Sequence, residues 1–486
     1  MPRNKYQTVT VLPPASQFGR GECVIYQGEV LTSDGVNWTS QTGPLSYTAA
    51  TLPDPTTLGA GATVVIDGNP VTSAAGRLVP SYVADNSFAA IGDSFTSAAR
   101  IVESNGGEAW KPHGYLAHVR DLCGARINIL DIFAQGGSGI TANFNGVKFD
   151  TQLTSAISTG ARNLIVMGGV NDVINDVPVD AIFTAYKALI DRAVLAGMRV
   201  FVCTQQGMTA AYASYTAARN VALMNLNAML KVYCATKSPM QVVLIDTART
   251  CVDPASTTGS YKSGFTLDNL HPNNRGAFAK GKKIADVLNS IFPAVETAIS
   301  SNADNVSLDA SSLNILTNGL MINATGGLAT GYTLTTTGSA SVPSPAVTDR
   351  ADGIGKDQVL NITFTAANET VTFSTSAITT GFVDGDTLVA ECECDIGASA
   401  ALRGIEFRFV VTGGVVPLNF VSLETSSAND QAVNTAVVYK FKSKPFKYNA
   451  AIMGPTKVTR SYLVAKSAAA GSVPVKVGLF SIRKVV

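Results

Sequence analysis

Three patterns of hydrophobic and polar positions follow one another along the chain. Residues 1–86 alternate short apolar runs with turn signals such as Asp67-Gly68, a dipeptide that tolerates positive φ and favours hairpins. Residues 87–298 alternate apolar segments with amphipathic helical ones. Residues 320–486 alternate apolar and polar side chains with a period of two. The pattern therefore predicts a small N-terminal β region, a central α/β domain and a C-terminal β domain.

Five short apolar segments predict the strands of the central domain: SFAAIGD, INILDIFAQ, NLIVMGG, RVFVCTQ and QVVLIDT. Near-continuous apolar strands joined by helices are typical of a parallel sheet that is covered on both faces. We therefore expect a doubly wound, flavodoxin-like α/β domain over residues 87–298. In such sheets ligands bind at the carboxyl ends of the strands.

The C-terminal pattern predicts a different architecture. Residues 299–319 are rich in Ser, Asn and Asp and are predicted to form a linker. Beyond them, seven strand-like segments are separated by Gly, Asn, Asp and Pro, which favours an antiparallel β-sandwich of jelly-roll-like type. We expect this sandwich to bind carbohydrate or to form trimer contacts.

Composition excludes several classes of function. The chain has 486 residues, of which only 15% are charged against roughly 25% in a typical soluble protein. Its 36 basic and 35 acidic residues give a net charge of +1, so we expect no nucleic-acid partner. No signal-peptide pattern opens the chain and no apolar stretch approaches ~18 residues, so we expect neither membrane insertion nor export by the general secretory route.

The seven cysteines are scattered, and we expect most of them to be buried thiols rather than a disulfide framework. Cys392 and Cys394 share one strand face, but no histidine or second cysteine pair accompanies them in the C-terminal region. We therefore predict no metal site. No cofactor is predicted either.

Four turns, each beside a predicted strand or helix, carry the polar groups that a catalytic site needs: Gly92-Asp93-Ser94-Phe95, Gly136-Gly137-Ser138-Gly139, Gly169-Val170-Asn171-Asp172 and Asp268-Asn269-Leu270-His271-Pro272. Each turn alone has a purely structural interpretation; a serine after Gly-Asp, for example, is also a good helix cap. Taken together, they supply a nucleophile, a base and backbone donors, which are the groups that acyl transfer needs.

The scarcity of histidine narrows the choice of base. The chain contains only His113, His118 and His271. His113 and His118 are five residues apart on a predicted helix and do not share a face, so we expect them to be structural or exposed. His271 follows Asp268 by three residues, close enough for the carboxylate to orient the imidazole. His271 is therefore the candidate base for Ser94.

In this order and with this spacing, the four turns resemble the motif blocks of the SGNH (GDSL-type) hydrolases. The resemblance covers about residues 87–293. It implies that Ser94 is the nucleophile, that His271 is the base and that Asp268 orients it. It also implies an oxyanion hole formed by the N–H groups of Ser94 and Gly136 and the side chain of Asn171.

Two positions depart from the family pattern. Phe95 replaces the leucine of the GDSL motif, and Ala134 stands where asparagine is frequent. Neither change removes a catalytic group. The neighbouring Gly137 leaves two candidates for the glycine N–H of the oxyanion hole, with the spacing to Gly139 favouring Gly136.

The three-part layout and the low charge resemble a second group, the tail spikes and tail fibres of bacteriophages or prophages. This resemblance implies a homotrimer in the virion tail, attached to other tail proteins through its N-terminus and acting at the bacterial surface. It also implies a serine esterase that removes O-acetyl groups from surface polysaccharide. The loops after the first three strands of the central domain are rich in Gly, Asn, Ser and Asp, which suits sugar hydroxyls, and their Trp110 and Phe144 are candidates for stacking on a sugar ring. The alternatives are a free carbohydrate esterase or lipase with an appended binding module, and a non-catalytic glycan-binding adhesin.

Overall fold

The computed structural model describes residues 86–102, 108–293, 299, 301–309, 312–412, 418–421, 434–453 and 458–485, together with eight short strands before residue 86. These eight strands are β1 Tyr6–Val9, β2 Cys23–Tyr26, β3 Glu29–Ser33, β4 Trp38–Ser40, β5 Leu45–Tyr47, β6 Thr63–Ile66, β7 Asn69–Ala74 and β8 Arg77–Pro80. The predicted N-terminal β region is therefore present.

The eight N-terminal strands form two four-stranded sheets with the same connections. The first sheet has the order β1-β2-β3-β4 and the second the order β5-β6-β7-β8. In both sheets the first pair is parallel and the next two pairs are antiparallel. Ile66 lies opposite Asn69, which is the antiparallel pairing predicted around Asp67-Gly68. The duplication itself was not predicted from the sequence.

The central domain contains the five predicted strands. In chain order its elements are β9 Ser87–Gly92, α1 Ser94–Ser97, β10 Arg100–Val102, β11 Glu108–Trp110, α2 Tyr115–Cys123, a 3₁₀ turn Gly124–Arg126, β12 Asn128–Ile132, α3 Phe149–Ser158, β13 Asn163–Met167, α4 Val170–Ile174, α5 Val179–Leu195, β14 Arg199–Cys203, α6 Ala217–Ala235, β15 Val242–Ile245, α7 Ala248–Cys251 and α8 Asn274–Ile291. All five predicted strands pair in parallel in the order β12-β9-β13-β14-β15.

This strand order is the flavodoxin-like one, with the first strand of the domain between the second and the third. β13 and β14 are buried along their whole length, as continuous apolar strands in a doubly covered sheet should be. β12 lies at the edge and remains half exposed. The chain adds β12 on one side of β9 and then adds β13, β14 and β15 on the other side. The point between β9 and β13 where the strand order switches is where ligands bind in such folds.

The C-terminal region forms two sheets that are mainly antiparallel and consistent with a β-sandwich. Its elements are β16 Ala324–Thr325, β17 Leu328–Ala329, β18 Tyr332–Thr336, β19 Ala346–Asp349, β20 Lys356–Phe364, β21 Thr370–Thr375, β22 Thr387–Ile396, β23 Leu402–Thr412, β24 Leu418–Val421, β25 Val437–Lys442, β26 Phe446–Lys447, α9 Ala450–Met453, β27 Val458–Ser467 and β28 Gly471–Val485. One sheet has the order β19-β20-β28-β22-β25, and the other runs β24-β23-β27-β21-β18.

An aromatic cluster fills the sandwich core. The Phe480 ring lies with its centroid 5.6 Å from that of Tyr332 and 5.9 Å from those of Phe373 and Phe407. All three contacts are edge-on, the geometry that the ring quadrupole favours. These four residues come from β18, β21, β23 and β28, so the cluster joins strands of both sheets.

The sandwich is attached directly to the central domain. β10 and β11 form a hairpin, and β11 pairs in parallel with β24, so the segment that follows α1 extends a sandwich sheet. His118 of α2 lies in the same junction, because its Nε2 donates to the Pro112 carbonyl and its Nδ1 accepts from the Tyr439 hydroxyl. Burial lowers the pKa of His118 to about 4, so the ring is neutral and structural.

The predicted linker contains ordered structure of its own. The N–H of Ile315 donates to the Ile482 carbonyl, and Asn314 forms a bridge with Arg483. This part of residues 299–319 is therefore packed against β28 of the sandwich. Among the helices that the structure describes, none is both long and apolar enough to cross a bilayer.

Candidate active site

The turn after β9 presents Ser94 at the carboxyl edge of the sheet. Gly92 ends the strand, and a Cβ at this position would lie 2.2 Å from Thr96 Oγ1, so only glycine allows the helix to start so close to the strand. Asp93 caps α1 by accepting a hydrogen bond of 3.0 Å from the Phe95 N–H. Ser94, the first residue of the helix, is half-buried.

Ser94, His271 and Asp268 form a continuous chain of hydrogen bonds. The Ser94 hydroxyl lies 2.8 Å from His271 Nε2, and His271 Nδ1 lies 2.6 Å from Asp268 Oδ2. With Nδ1–H donating to the carboxylate, Nε2 is free to accept the proton of the serine. The arrangement is that of a nucleophile, a general base and an orienting carboxylate.

The loop that carries Asp268 and His271 is shaped by local hydrogen bonds. Asn269 has a positive φ of 73°, a conformation that asparagine tolerates better than most residues. The turn lets Asp268 Oδ1 accept from the N–H groups of Leu270, at 3.1 Å, and His271, at 2.7 Å. Partial burial acts to raise the pKa of Asp268, but the hydrogen bonds from His271 outweigh it and hold that pKa below its ordinary value.

Gly136 borders the nucleophile, as the spacing argument favoured. A Cβ built on Gly136 would lie 3.9 Å from Ser94 Cβ, whereas one on Gly137 would face Asn145. Within the described part of the chain, the N–H groups of Ser94 and Gly136 have no hydrogen-bond partner. Two backbone donors beside the nucleophile suit an oxyanion hole.

Asn171 reaches the same edge of the sheet from β13. The register places Met167 opposite Gly92, so the turns after β9 and β13 leave the sheet side by side. Asn171 Nδ2 donates to the Ser138 carbonyl at 2.8 Å. This bond fixes the amide next to residues 136–146, which we call the glycine loop. The second hydrogen of that amide remains to serve as a third donor.

Two buried side chains hold the glycine loop in place: Asp172, the last residue of the third turn, and Gln152, which the sequence analysis did not single out. The Asp172 carboxylate accepts from the N–H groups of Ile140 and Thr141, both at 2.8 Å. Gln152 bonds to both the N–H and the carbonyl of Gly92 and also donates to Ser138 Oγ. Gln152 therefore links the nucleophile turn to the glycine loop. It lies on the apolar face of a helix, where a buried glutamine signals a fixed partner.

A buried pair of opposite charges lies beneath the nucleophile turn. Lys280 is fully buried, with its Nζ 4.6 Å from the centroid of the Phe95 ring and 4.0 Å from Met167 Sδ. Burial lowers the pKa of Lys280 to about 8. Burial also raises the pKa of Asp93 to about 6, while the hydrogen bond from Gln205 and the charge of Lys280 act in the opposite direction. The sequence signal for this lysine is a charge within the apolar stripe of α8.

The two candidates for sugar stacking lie in different surroundings. Trp110 is 3% exposed and carries the Arg120 guanidinium 4.4 Å above its ring, so it offers no open face to a sugar. Phe144 is partly exposed and packs against Gly139 of the glycine loop, where a Cβ would lie 2.4 Å from the Phe144 ring. Stacking by Phe144 remains a prediction. In the described residues, no group of three or more His, Cys, Asp or Glu side chains is placed to hold a metal ion.

The fold and the site together define a doubly wound α/β hydrolase domain with a Ser-His-Asp arrangement at its switch point. Residues 90–277 match the GDSL-like lipase/acylhydrolase family. The chain therefore contains a GDSL-like lipase/acylhydrolase domain, in agreement with the first resemblance seen in the sequence. No curated protein matches the chain.

Three solved structures illustrate what part of this chain is similar to. A GDSL-like lipase from Bacteroides thetaiotaomicron is 14% identical, covers 43% of this chain and 89% of its own, and has a TM-score of 0.31. A member of the lipolytic G-D-S-L family from Veillonella parvula is 17% identical, with coverages of 41% and 97% and a TM-score of 0.30. A mutant acetyl-xylooligosaccharide esterase from Geobacillus is 14% identical, with coverages of 43% and 96% and a TM-score of 0.32.

The first prediction concerns the nucleophile. Ser94→Ala should lower kcat for an aryl acetate by ~10⁶, because the triad acts as a unit and removing one member costs nearly as much as removing all three. Ser97→Ala, which removes a hydroxyl from the same short helix, serves as the matched control and should stay within a few-fold of the native rate. A well-folded Ser94→Ala protein that retained a few per cent of activity would exclude Ser94 as the nucleophile.

The second prediction concerns the oxyanion hole. Asn171→Ala should lower kcat by roughly 10²–10³, because one of three donors is lost while the two backbone N–H groups remain. Steady-state kinetics on the same aryl acetate measure this loss, and circular dichroism checks the fold. A loss as large as that of Ser94→Ala, in a protein that melts at a lower temperature, would show that Asn171 mainly supports the fold through Ser138.

Proposed function

We propose that this protein is a serine esterase that removes O-acetyl groups from bacterial surface polysaccharide. The observation that carries the proposal is the chain of hydrogen bonds from Ser94 through His271 to Asp268. Acyl transfer needs a nucleophile, a base and backbone N–H donors without other partners, and all of these lie at one edge of the sheet. An intact set of catalytic groups also argues against a non-catalytic adhesin.

The reaction divides into two steps at the Ser94 hydroxyl. In the first, Ser94 Oγ attacks the acetyl carbonyl carbon while His271 Nε2 takes its proton, and the carbonyl oxygen becomes negative beside the N–H groups of Ser94 and Gly136. The C–O bond to the sugar then breaks, and His271 returns the proton to the departing sugar oxygen. In the second step His271 deprotonates a water, which attacks the carbonyl carbon of the acetyl-serine. The bond from that carbon to Ser94 Oγ breaks, acetate leaves and His271 returns the proton to Ser94 Oγ.

The polar character of the site favours a short acyl group on a carbohydrate. A lipase needs an extended apolar channel for its acyl chain, whereas the loops after the first three strands of the central domain are rich in Gly, Asn, Ser and Asp. Their side chains offer hydrogen bonds to sugar hydroxyls. Phe144, half-exposed on the glycine loop, is suited to stacking on a ring.

We place the enzyme in a phage or prophage tail spike, acting at the bacterial surface with its N-terminus joined to other tail proteins. The support is the layout of the chain: duplicated N-terminal β sheets, a central hydrolase domain and a C-terminal sandwich. The low share of charged residues suits extensive contact between three subunits. A free esterase or lipase with an appended module is the alternative.

The third prediction addresses the substrate. Rates on aryl esters from acetate to decanoate should fall steeply beyond about four carbons, since each methylene that does not fit costs roughly 1–3 kcal/mol of discrimination. Acetate release from O-acetylated surface polysaccharide, followed by NMR, tests the sugar directly. A preference for octanoate or longer esters would favour the lipase alternative.

The fourth prediction addresses assembly. Light scattering coupled to gel filtration should give a mass near three times the 50.5 kDa of the chain, because the proposal requires a homotrimer. Dilution to low micromolar concentration should leave the trimer intact. A monomer at that concentration would favour the free-esterase alternative over the tail spike.

A further inference from the structure

A basic cleft lies between the catalytic domain and the sandwich. It has a volume of about 570 Å³, and we call it the α8 cleft. Its walls include Lys262, Phe265, Arg275, Lys282, Lys283 and Asp286 of the catalytic domain, and Asn434 and Thr435 at the start of the segment that leads into β25. Four of these side chains are cationic and one is anionic, in a chain whose net charge is only +1.

The cationic side chains come from one face of α8 and from the loop before it. Helix residues 276–278, 280, 281, 284, 285 and 288 are buried, whereas Lys282, Lys283 and Asp286 are exposed on the opposite face. Lys262 approaches from the loop, with its Nζ donating to the Thr250 carbonyl at 2.8 Å. The fold therefore concentrates the charged side chains in one place, since Lys262 and Asp286 lie 24 positions apart in the sequence.

The single carboxylate of the cleft does not neutralise it. Asp286 is paired with Lys282, whose Nζ lies 2.9 and 2.8 Å from its two oxygens. Among the described residues, Lys283 has no carboxylate within ion-pair distance. Lys262 and Lys283 therefore leave the described lining of the cleft with a surplus of positive charge.

The α8 cleft adjoins the catalytic loop. The Asn273 N–H donates to the Phe265 carbonyl at 3.1 Å, and Thr266 bridges to Pro272, so Phe265 and the start of α8 flank the loop that carries Asp268 and His271. Arg275 follows His271 by only four residues. From Arg275 to Lys283 the helix rises about 12 Å, so the cleft leads away from the triad along α8.

Resting on the proposed esterase function, we propose that the α8 cleft binds an anionic segment of the polysaccharide whose ester lies at Ser94. Lysine and arginine side chains bind carboxylate or phosphate groups of sugars, and Asn434 and Thr435 supply hydrogen bonds to hydroxyls. Lys262 Nζ lies over the partly exposed Phe265 ring, 5.5 Å from its centroid, so a cation and an apolar ring stand together in the cleft. The substrate is therefore an acidic polysaccharide rather than a neutral one.

The test compares two chemically acetylated oligosaccharides of equal length, one of galacturonate and one of neutral galactose. The native protein should show a lower KM for the acidic oligomer, and that advantage should shrink between about 50 and about 500 mM NaCl because salt screens exposed charges. Lys283→Glu should raise the ratio of acidic to neutral KM about tenfold, while Lys283→Arg should preserve it. Phosphorylated galactose oligomers show whether phosphate replaces carboxylate.

The matched control is Arg162→Glu, which reverses an exposed charge just before β13, at the amino edge of the sheet away from the triad. It should leave both KM values unchanged. Equal KM values for the two oligomers, or a ratio that Lys283→Glu does not alter, would overturn the α8 cleft proposal while leaving the esterase intact.

Failure of the esterase proposal has a separate signature. If aryl acetate is hydrolysed but neither oligomer releases acetate, the carbohydrate substrate is wrong. Calorimetry of Ser94→Ala with unacetylated oligogalacturonate then tests anion binding by the α8 cleft independently of catalysis. Binding that Lys283→Glu weakens about tenfold supports it, and no binding, or binding that Lys283→Glu leaves unchanged, overturns it.

Discussion

The hydrogen bond between Ser94 and His271 is the interaction on which the candidate site depends, and it joins residues 177 positions apart. Each end of this bond is placed by its own segment, and only the fold of the domain brings the two ends together. Ser94 is placed by β9 and by the close approach that Gly92 allows, whereas His271 is placed by the loop that leads into α8. Parallel pairing brings the carboxyl ends of β9 and β13 to one edge, and the other groups of the site assemble around that edge.

The support beneath the site is polar and buried, and this gives the site its rigidity. Gln152 connects the nucleophile turn with the glycine loop, while Asp172 clamps that loop to α4. Lys280 and Asp93 are both fully buried beside Phe95. Buried polar groups are costly unless their partners are fixed, so such a network favours one arrangement over its alternatives.

The sandwich is joined to the catalytic domain at places that matter for the site. The hairpin after the nucleophile helix adds strands to a sandwich sheet, and His118 bonds to Tyr439 across the junction. The α8 cleft is lined from both sides of the same junction. If the α8 cleft binds substrate as proposed, a surface that spans two domains holds a long substrate in one register relative to the nucleophile.

The sequence by itself determined the strands and main helices of the central domain, the seven long strands of the sandwich and the four turns of the site, because these follow from hydrophobic periodicity and from turn chemistry that acts over a few residues. It did not reveal the duplicated N-terminal sheets, the strand pairing between β11 and β24 or the burial of Trp110. Those features depend on contacts between distant segments. The roles of Gln152 and Lys280 and the clustering of Lys262, Lys282 and Lys283 were decided only by the tertiary structure, since a side chain's partners and its local charge exist only once the chain has folded.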